Sequence, residues 1–259
     1  MSAITITVAQ LTEFVGVVMW PLFRIAALFS IVPIVGGSEV PVRVRVGLAL
    51  LVTLLIVPTL DSAPAVDPLT VNGIVVTVQQ MMIGFAMGLM VLVVFNAVAM
   101  AGENIAITMG LGFALLNDPQ NGVQVPTVSQ FYVVFATLLF LALNGHLAVL
   151  NLIASSFVLI PVGAALSIDS VWHLLSWAAI LFKGALAIAL PALAAMLAVN
   201  MVMGVVTRSA PQMNIFSIGF PITMTVGFVA MLLTLPSVKH EFALLWSDTV
   251  ASILTLLAK

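Results

Sequence analysis

The sequence predicts an all-α polytopic membrane protein built of long, kinked helices. Three observations carry that prediction. Only 6% of the 259 residues are Asp, Glu, Lys or Arg, and 63% are hydrophobic; a soluble domain usually carries about 25% charge. Residues 68–102 hold no charged side chain, and residues 119–168 hold only the titratable His146. Apolar runs of about 18 residues or more read as membrane spans, and here they follow one another along nearly the whole chain. Backbone groups in lipid must be satisfied within the protein, which leaves helices for runs of this kind.

The bulk numbers exclude several classes. A mean hydropathy of +1.31 leaves no room for a soluble domain between spans. A net charge of -2 is too small to suggest nucleic acid or an acidic substrate as partner. Without cysteine there is neither a disulfide nor a thiolate metal site. Residues 1–13 show no basic start and no small-residue cleavage pattern, so they do not read as a signal peptide. The first apolar stretch is expected to stay in the mature protein.

The first span reads from about Leu11 to Val35, with Trp20-Pro21 and Arg24 inside it, and stops at Gly36-Gly37-Ser38. Pro41 to Val46 alternates like a strand, but a lone strand cannot span lipid, so it reads as the start of a helix. A short second span follows to about Leu60, then a loop from Asp61 to Pro68. A third segment runs from Val71 to about Met100, with Gln79, Gln80, Asn96 and a Gly84-x-x-x-Gly88 pair. Gly102 to Pro126 reads as a loop from its glycines and prolines, although its first half is apolar. Thr127 to Leu166 would be about 60 Å long as one helix, twice the hydrocarbon thickness, so a hairpin is expected at Asn144-Gly145-His146. Trp172 to Met203 is a further long segment containing Lys183 and Pro191, and Arg208 to Asn214 is a polar turn. Ile215 to Leu235 is the last span, and Pro236 to Lys259 an amphipathic tail. The count is seven helical passages, with six as the alternative. Arg43 and Arg45 place the first loop in the cytoplasm, but seven passages then put Arg208 outside, so the positive-inside rule does not fix the topology.

No catalytic constellation emerges. His146, His173 and His240 lack metal-ligand spacing, and there is no H-E-x-x-H, phosphate loop or G-x-S-x-G. The chain reads as no enzyme and calls for no cofactor. The Gly84/Gly88 pair fits a close helix contact or the ordinary frequency of glycine in membrane helices. Gln79, Gln80, Asn96 and Asn200 need buried partners. Arg24 and Lys183 lie nearest the middle of spans and have no evident partner in the chain, so both are assigned, with Glu103 and Arg208, to contacts with other subunits. Met109-Gly110-Leu111-Gly112-Phe113-Ala114 combines mobile backbone with side chains that can keep a narrow passage dry. It is the candidate gate; the bland alternative is a buried packing loop.

Several of these residues together resemble a known family. They are Trp20-Pro21-Leu22-Phe23-Arg24, Pro33 and Pro41 to Leu48, then Ala101-Gly102-Glu103 leading into Met109 to Ala114 and Asp118-Pro119. Leu139-Phe140 and Asn144-Gly145-His146 follow, and then Arg208 to Phe216 with Ile218-Gly219-Phe220-Pro221. The chain resembles the FliR family, the R-type subunits of the flagellar type III export gate. The likeness covers most of the sequence and fades after about Pro236.

The resemblance implies a pore made with FliP-type and FliQ-type subunits, with an FlhB-type subunit docked on it and unfolded flagellar proteins passing through. It implies residence in the bacterial inner membrane, within the flagellar basal body and in contact with lipid, with the assembled helices raised toward the periplasmic side. It implies a P-like part over residues 1–166, including a plug loop at 103–125, and a Q-like helical hairpin and tail over 167–259. In that picture Met109 to Ala114 plug the lumen, and the chain itself catalyses nothing. A stand-alone secondary transporter or channel is the rival class. The R-type subunit of a virulence export gate is the nearest alternative within the relatives.

Overall fold

The computed structural model describes residues 8–60, 68, 70–111, 127–209 and 215–258, with backbone alone at 8–15 and 215–218. Every regular element among them is helical: α1 (Val8–Ile31), α2 (Pro33–Gly36), α3 (Val42–Ile56), α4 (Val71–Thr108), α5 (Thr127–Ala142), α6 (Gly145–Leu159), α7 (Ile168–Trp177), α8 (Ile180–Ser209) and α9 (Ile215–Ala258). The predicted all-α class holds. The prolines at 21, 191 and 221 all lie inside helices.

Pro41 precedes the first residue of α3, so the alternating stretch is indeed helical. Arg45 turns back from that helix: its Nε donates to the Val35 carbonyl at 3.1 Å and its Nη2 to the Gly37 carbonyl at 3.1 Å. The guanidinium thus reaches carbonyls around the end of α2, a usual task for a cation at a helix C-terminus.

Three sequence expectations are corrected. The stretch expected as a loop from residue 103 is helical as far as Thr108. Gly102 is there for packing: a Cβ on it would lie 2.7 Å from Cα of Ser129 on α5, and Ser129 Oγ donates to the Ala99 carbonyl at 2.8 Å. A glycine that lets two backbones meet is not a breaker.

The expected hairpin at residues 144–146 is an elbow. α5 and α6 are bent by 67° at the break. At the break Asn144 takes a left-handed conformation, φ 55°, and helix-type bonds continue up to it from Leu143 N–H to the Leu139 carbonyl. Asparagine is the side chain that tolerates this geometry best after glycine. Gly145 follows because a Cβ there would strike the Phe140 ring at 2.5 Å.

The tail is no separate element. α9 continues for 44 residues through both Pro221 and Pro236. A proline removes one hydrogen bond and bends a helix without ending it where packing holds both sides. Here Val238, Phe242, Leu245 and Trp246 are buried beyond Pro236.

Four helical stretches are long and apolar enough to cross a membrane: Val42–Thr59, Val71–Thr108, Ile168–Ser209 and Gly219–Ala258. The bent pair α5 and α6 makes a fifth if it is one span, and Gly16–Ile31 is a shorter apolar helix. All seven expected passages are therefore helices, but by length four or five of the described segments qualify as spans.

The chain forms two compact units with interleaved sequence: one from Met1–Leu92, His146–Ala178 and Thr249–Lys259, the other from Val93–Gly145 and Ala179–Asp248. In the first, α1 packs on α3 and on the early part of α4. A Cβ on Gly84 would overlap the Arg24 carbonyl, and one on Gly88 would lie 3.0 Å from Ile31 Cβ. The Gly84/Gly88 pair is a close contact. In the second, Phe95 of α4 meets Phe140 at 5.6 Å and Phe242 at 6.0 Å, and Phe140 meets Trp246 edge-on at 4.8 Å between centroids. Such tilted aromatic pairs add about 0.5–1.5 kcal/mol each beyond area burial.

Candidate functional site

The candidate gate begins where α4 ends. Met109 N–H bonds the Ile105 carbonyl, Gly110 N–H the Ile107 carbonyl and Leu111 N–H the Ala106 carbonyl, at 2.9, 3.0 and 3.1 Å. The last two are the paired bonds of a Schellman cap, and Gly110 supplies its left-handed residue at φ 88°. The Gly-x-Gly pattern therefore has a structural task at its first glycine. Gly112, Phe113 and Ala114 lie outside the described residues.

The side chains around this cap come from the first turns of α9. Met109 is fully buried, and a Cβ on Gly227 would lie 2.5 Å from Met109 Cγ. A Cβ on Gly110 would lie 3.1 Å from the Phe220 ring. Thr223 Oγ1 sits 3.0 Å from the Phe220 carbonyl and 3.4 Å from the Met109 carbonyl. Phe220 was visible in the sequence as part of a motif. Gly227, in an apolar run without a pattern, gave no signal.

Of the four charges expected at subunit contacts, Glu103, Lys183 and Arg208 are exposed, and none has an ion-pair partner among the described residues. Arg24 differs. It is 1% exposed, and its partners belong to this chain. Nε donates to Gln80 Oε1 at 2.8 Å. Nη1 donates to the Ser156 carbonyl and Oγ at 2.8 and 3.1 Å, and Nη2 to the Ile160 carbonyl at 2.9 Å. The Phe157 ring lies 4.1 Å below the guanidinium carbon, a favourable cation–π distance. A subunit contact is thus not needed to satisfy Arg24, which corrects its assignment. Gln80 was flagged as an amide in need of a partner; Ser156 and Ile160 carried no signal, being 132 and 136 residues away.

The arrangement offers a rigid root for a loop, a buried cation that ties three helices, and wide apolar faces. Only 11% of the Val42–Thr59 span is buried within the chain, and 22% of an apolar 18-residue stretch in each of Ile168–Ser209 and Gly219–Ala258.

Comparison with known proteins gives a match to the bacterial export proteins, family 1, over residues 15–249. A flagellar biosynthetic protein FliR of Pectobacterium carotovorum is 37% identical over 96% of this chain and 97% of its own length. The FliR of Escherichia coli K12 is 36% identical over 92% and 93%. That of Bacillus subtilis is 28% identical over 91% and 92%. Matched along most of its length by the family and at these identities by such relatives, the chain belongs to the bacterial export proteins, family 1.

Proposed function

We propose that this chain is the R-type subunit of a flagellar type III export gate in the bacterial inner membrane. The observation that carries the proposal is kinship with FliR proteins across nearly the whole of both chains. With FliP-type and FliQ-type subunits it would line the pore that unfolded flagellar proteins cross, and an FlhB-type subunit would dock on the same assembly. The unburied apolar faces of α3, α8 and α9 support lipid and subunit contacts of this extent. The kinship implies an assembly raised toward the periplasm, which would account for polar side chains along its helices. Residues 1–166 would form the P-like part and 167–259 the Q-like part; the connection between α6 and α7 supports a join there.

Met109 to Ala114 would start the plug. The capped root at Met109–Leu111 supports that role, since a sealing loop needs a fixed origin. The chain itself catalyses no covalent step.

The test is deletion of the chain from a flagellated host, complementation, and capture of a tagged copy in detergent. Loss of motility, restored by the intact chain, and co-purification with P-type and Q-type subunits are expected. A chain that purifies alone as a well-behaved transporter sinks the reading. Capture with the subunits of an injectisome would assign it to a virulence gate. For the plug, Phe113→Asp should make cells expressing the assembled gate leak ions, because a charge draws water into a dry constriction. A tight membrane would place the seal elsewhere.

A further inference from the structure

The exposed side of α9 changes character at Pro236. From Ile222 to Leu233 the open positions are Ile222, Phe228, Val229, Leu232 and Leu233, with Thr225 the polar one. The Thr225 hydroxyl is spent on the Pro221 carbonyl of its own helix. From Ser237 to Asp248 the open positions are Ser237, Lys239, His240, Ser247 and Asp248, with Glu241 half-buried and Leu244 the single apolar exception. Ser237, His240, Glu241, Leu244, Ser247 and Asp248 recur every three or four positions, so they share one side of the helix. The opposite side, with Val238, Phe242, Leu245 and Trp246, is buried.

This side turns polar while its neighbours do not. Phe242 meets Phe95 of α4 at 6.0 Å, Trp246 meets Phe140 of α5 at 4.8 Å, and a Cβ on Gly184 of α8 would lie 2.9 Å from Leu245 Cδ1. All of these residues lie in one compact unit. Beside those contacts α5 exposes Leu138 and Leu141, and α8 exposes Phe182 and Leu186. Asn96 of α4 and Lys183 of α8 are the polar exceptions there. At one level, then, the unit shows apolar sides on α5 and α8 and a polar side on α9. A helix that merely leaves the membrane turns polar together with its neighbours. Charged side chains within an apolar layer face protein or water, because hydrocarbon leaves them unsolvated.

We propose that this side of α9 forms part of the wall of the aqueous passage and touches the polypeptide in transit. The proposal rests on the export-gate reading above and adds to it the surface that the cargo meets. Small hydroxyls and charges give an unfolded chain little apolar area to settle on, whereas an apolar wall would hold its hydrophobic groups.

The experiment uses cells making the full chain with its partner subunits, and membranes opened on both sides before the tagged gate is captured. Because the chain has no cysteine of its own, single cysteines report each position: His240→Cys and Ser247→Cys on the polar side, Leu138→Cys and Leu186→Cys on the apolar sides. A membrane-impermeant maleimide should label the first two at least about tenfold faster than the last two in the assembled gate, since the reactive thiolate forms in water and is suppressed in apolar surroundings. A photo-crosslinking residue in place of Ser247 should join the chain to a flagellar protein stalled in export by a folded fusion at its C-terminus.

Slow labelling of both polar positions in the captured gate, or equal labelling at all four, would overturn the proposal. So would crosslinks from position 247 to a partner subunit instead of the stalled protein, for the polar side would then be a subunit contact. If one polar-side variant does not assemble, the other decides; failure of both would likewise mean a subunit contact. Capture without P-type and Q-type subunits defeats the export-gate reading, whereas capture with them and slow labelling defeats the wall alone.

Discussion

Nη2 of Arg24 donates to the carbonyl of Ile160 across 136 residues of sequence, at 2.9 Å. With the bond from Nη1 to the Ser156 carbonyl, it closes the open end of α6. A helix C-terminus carries a partial negative charge, so a guanidinium is favoured there without a carboxylate. The same group holds Gln80 of α4, so one side chain joins α1, α4 and α6.

Arg24→Lys is expected to fail as a conservative change. An ammonium cannot match the planar fork that reaches Gln80, Ser156 and Ile160 together. Each buried acceptor left unpaired costs about 1–3 kcal/mol. Because the partners are internal, the loss should appear in the chain expressed alone, as faster digestion by protease in detergent. Equal protease resistance would show the node to be dispensable.

Gly84→Leu should separate α1 from α4. Its first side-chain carbon already overlaps the Arg24 carbonyl, and overpacking of this sort costs about 1–3 kcal/mol or more. The steady-state level of the subunit in membranes should fall, and Gly47→Leu, where nothing lies within 4 Å, should leave it unchanged.

Gly110→Ala should weaken the end of α4. A non-glycine residue at φ 88° costs about 1–2 kcal/mol, and Gly110→Asn should cost less because asparagine tolerates left-handed geometry better. Motility in soft agar, ranked wild type, then Asn, then Ala, checks this. The reverse order would mean the Phe220 contact outweighs the backbone.

Arg208→Ala and Lys183→Ala should divide from Arg24→Lys. Both side chains are exposed and lack an ion-pair partner among the described residues, so the isolated chain should change by no more than about 0.5 kcal/mol. Recovery of the complex with P-type and Q-type subunits should drop. Normal recovery and motility would remove both residues from the interface.

The helical class, the order of segments and the breaks at residues 36–38 and 144 were legible because they follow from local rules: apolar run length, glycine pairs and a left-handed asparagine. The helix from Gly102 to Thr108 was not, because its glycine answers to Ser129 on another helix. The same holds for α9 beyond Pro236, where burial of Phe242 and Trp246 outweighs one missing hydrogen bond. Within the candidate site the cap glycine was readable as a special backbone position. Its packing against α9 was not, since Gly227 looks like any other small residue in an apolar run. Arg24 was noticed for its charge and misassigned for lack of an acidic neighbour, when its acceptors are carbonyls and an amide.

The interleaving of the two units bears on how the protein is made. The first unit joins Met1–Leu92 to Thr249–Lys259, which emerge from the ribosome much later. Ser170 Oγ on α7 bonds the Leu256 carbonyl at 2.9 Å, and His173 Nε2 lies 3.2 Å from the Ser252 carbonyl. Those contacts cannot form until the ribosome has released the end of α9. Domains that follow the chain can fold in order as they emerge, but this one must hold its opening helices unfinished in the membrane until the end of α9 has been made. A premature stop in α9 before Asp248 would leave both units incomplete, and the truncated product should be cleared by proteolysis before it meets a partner.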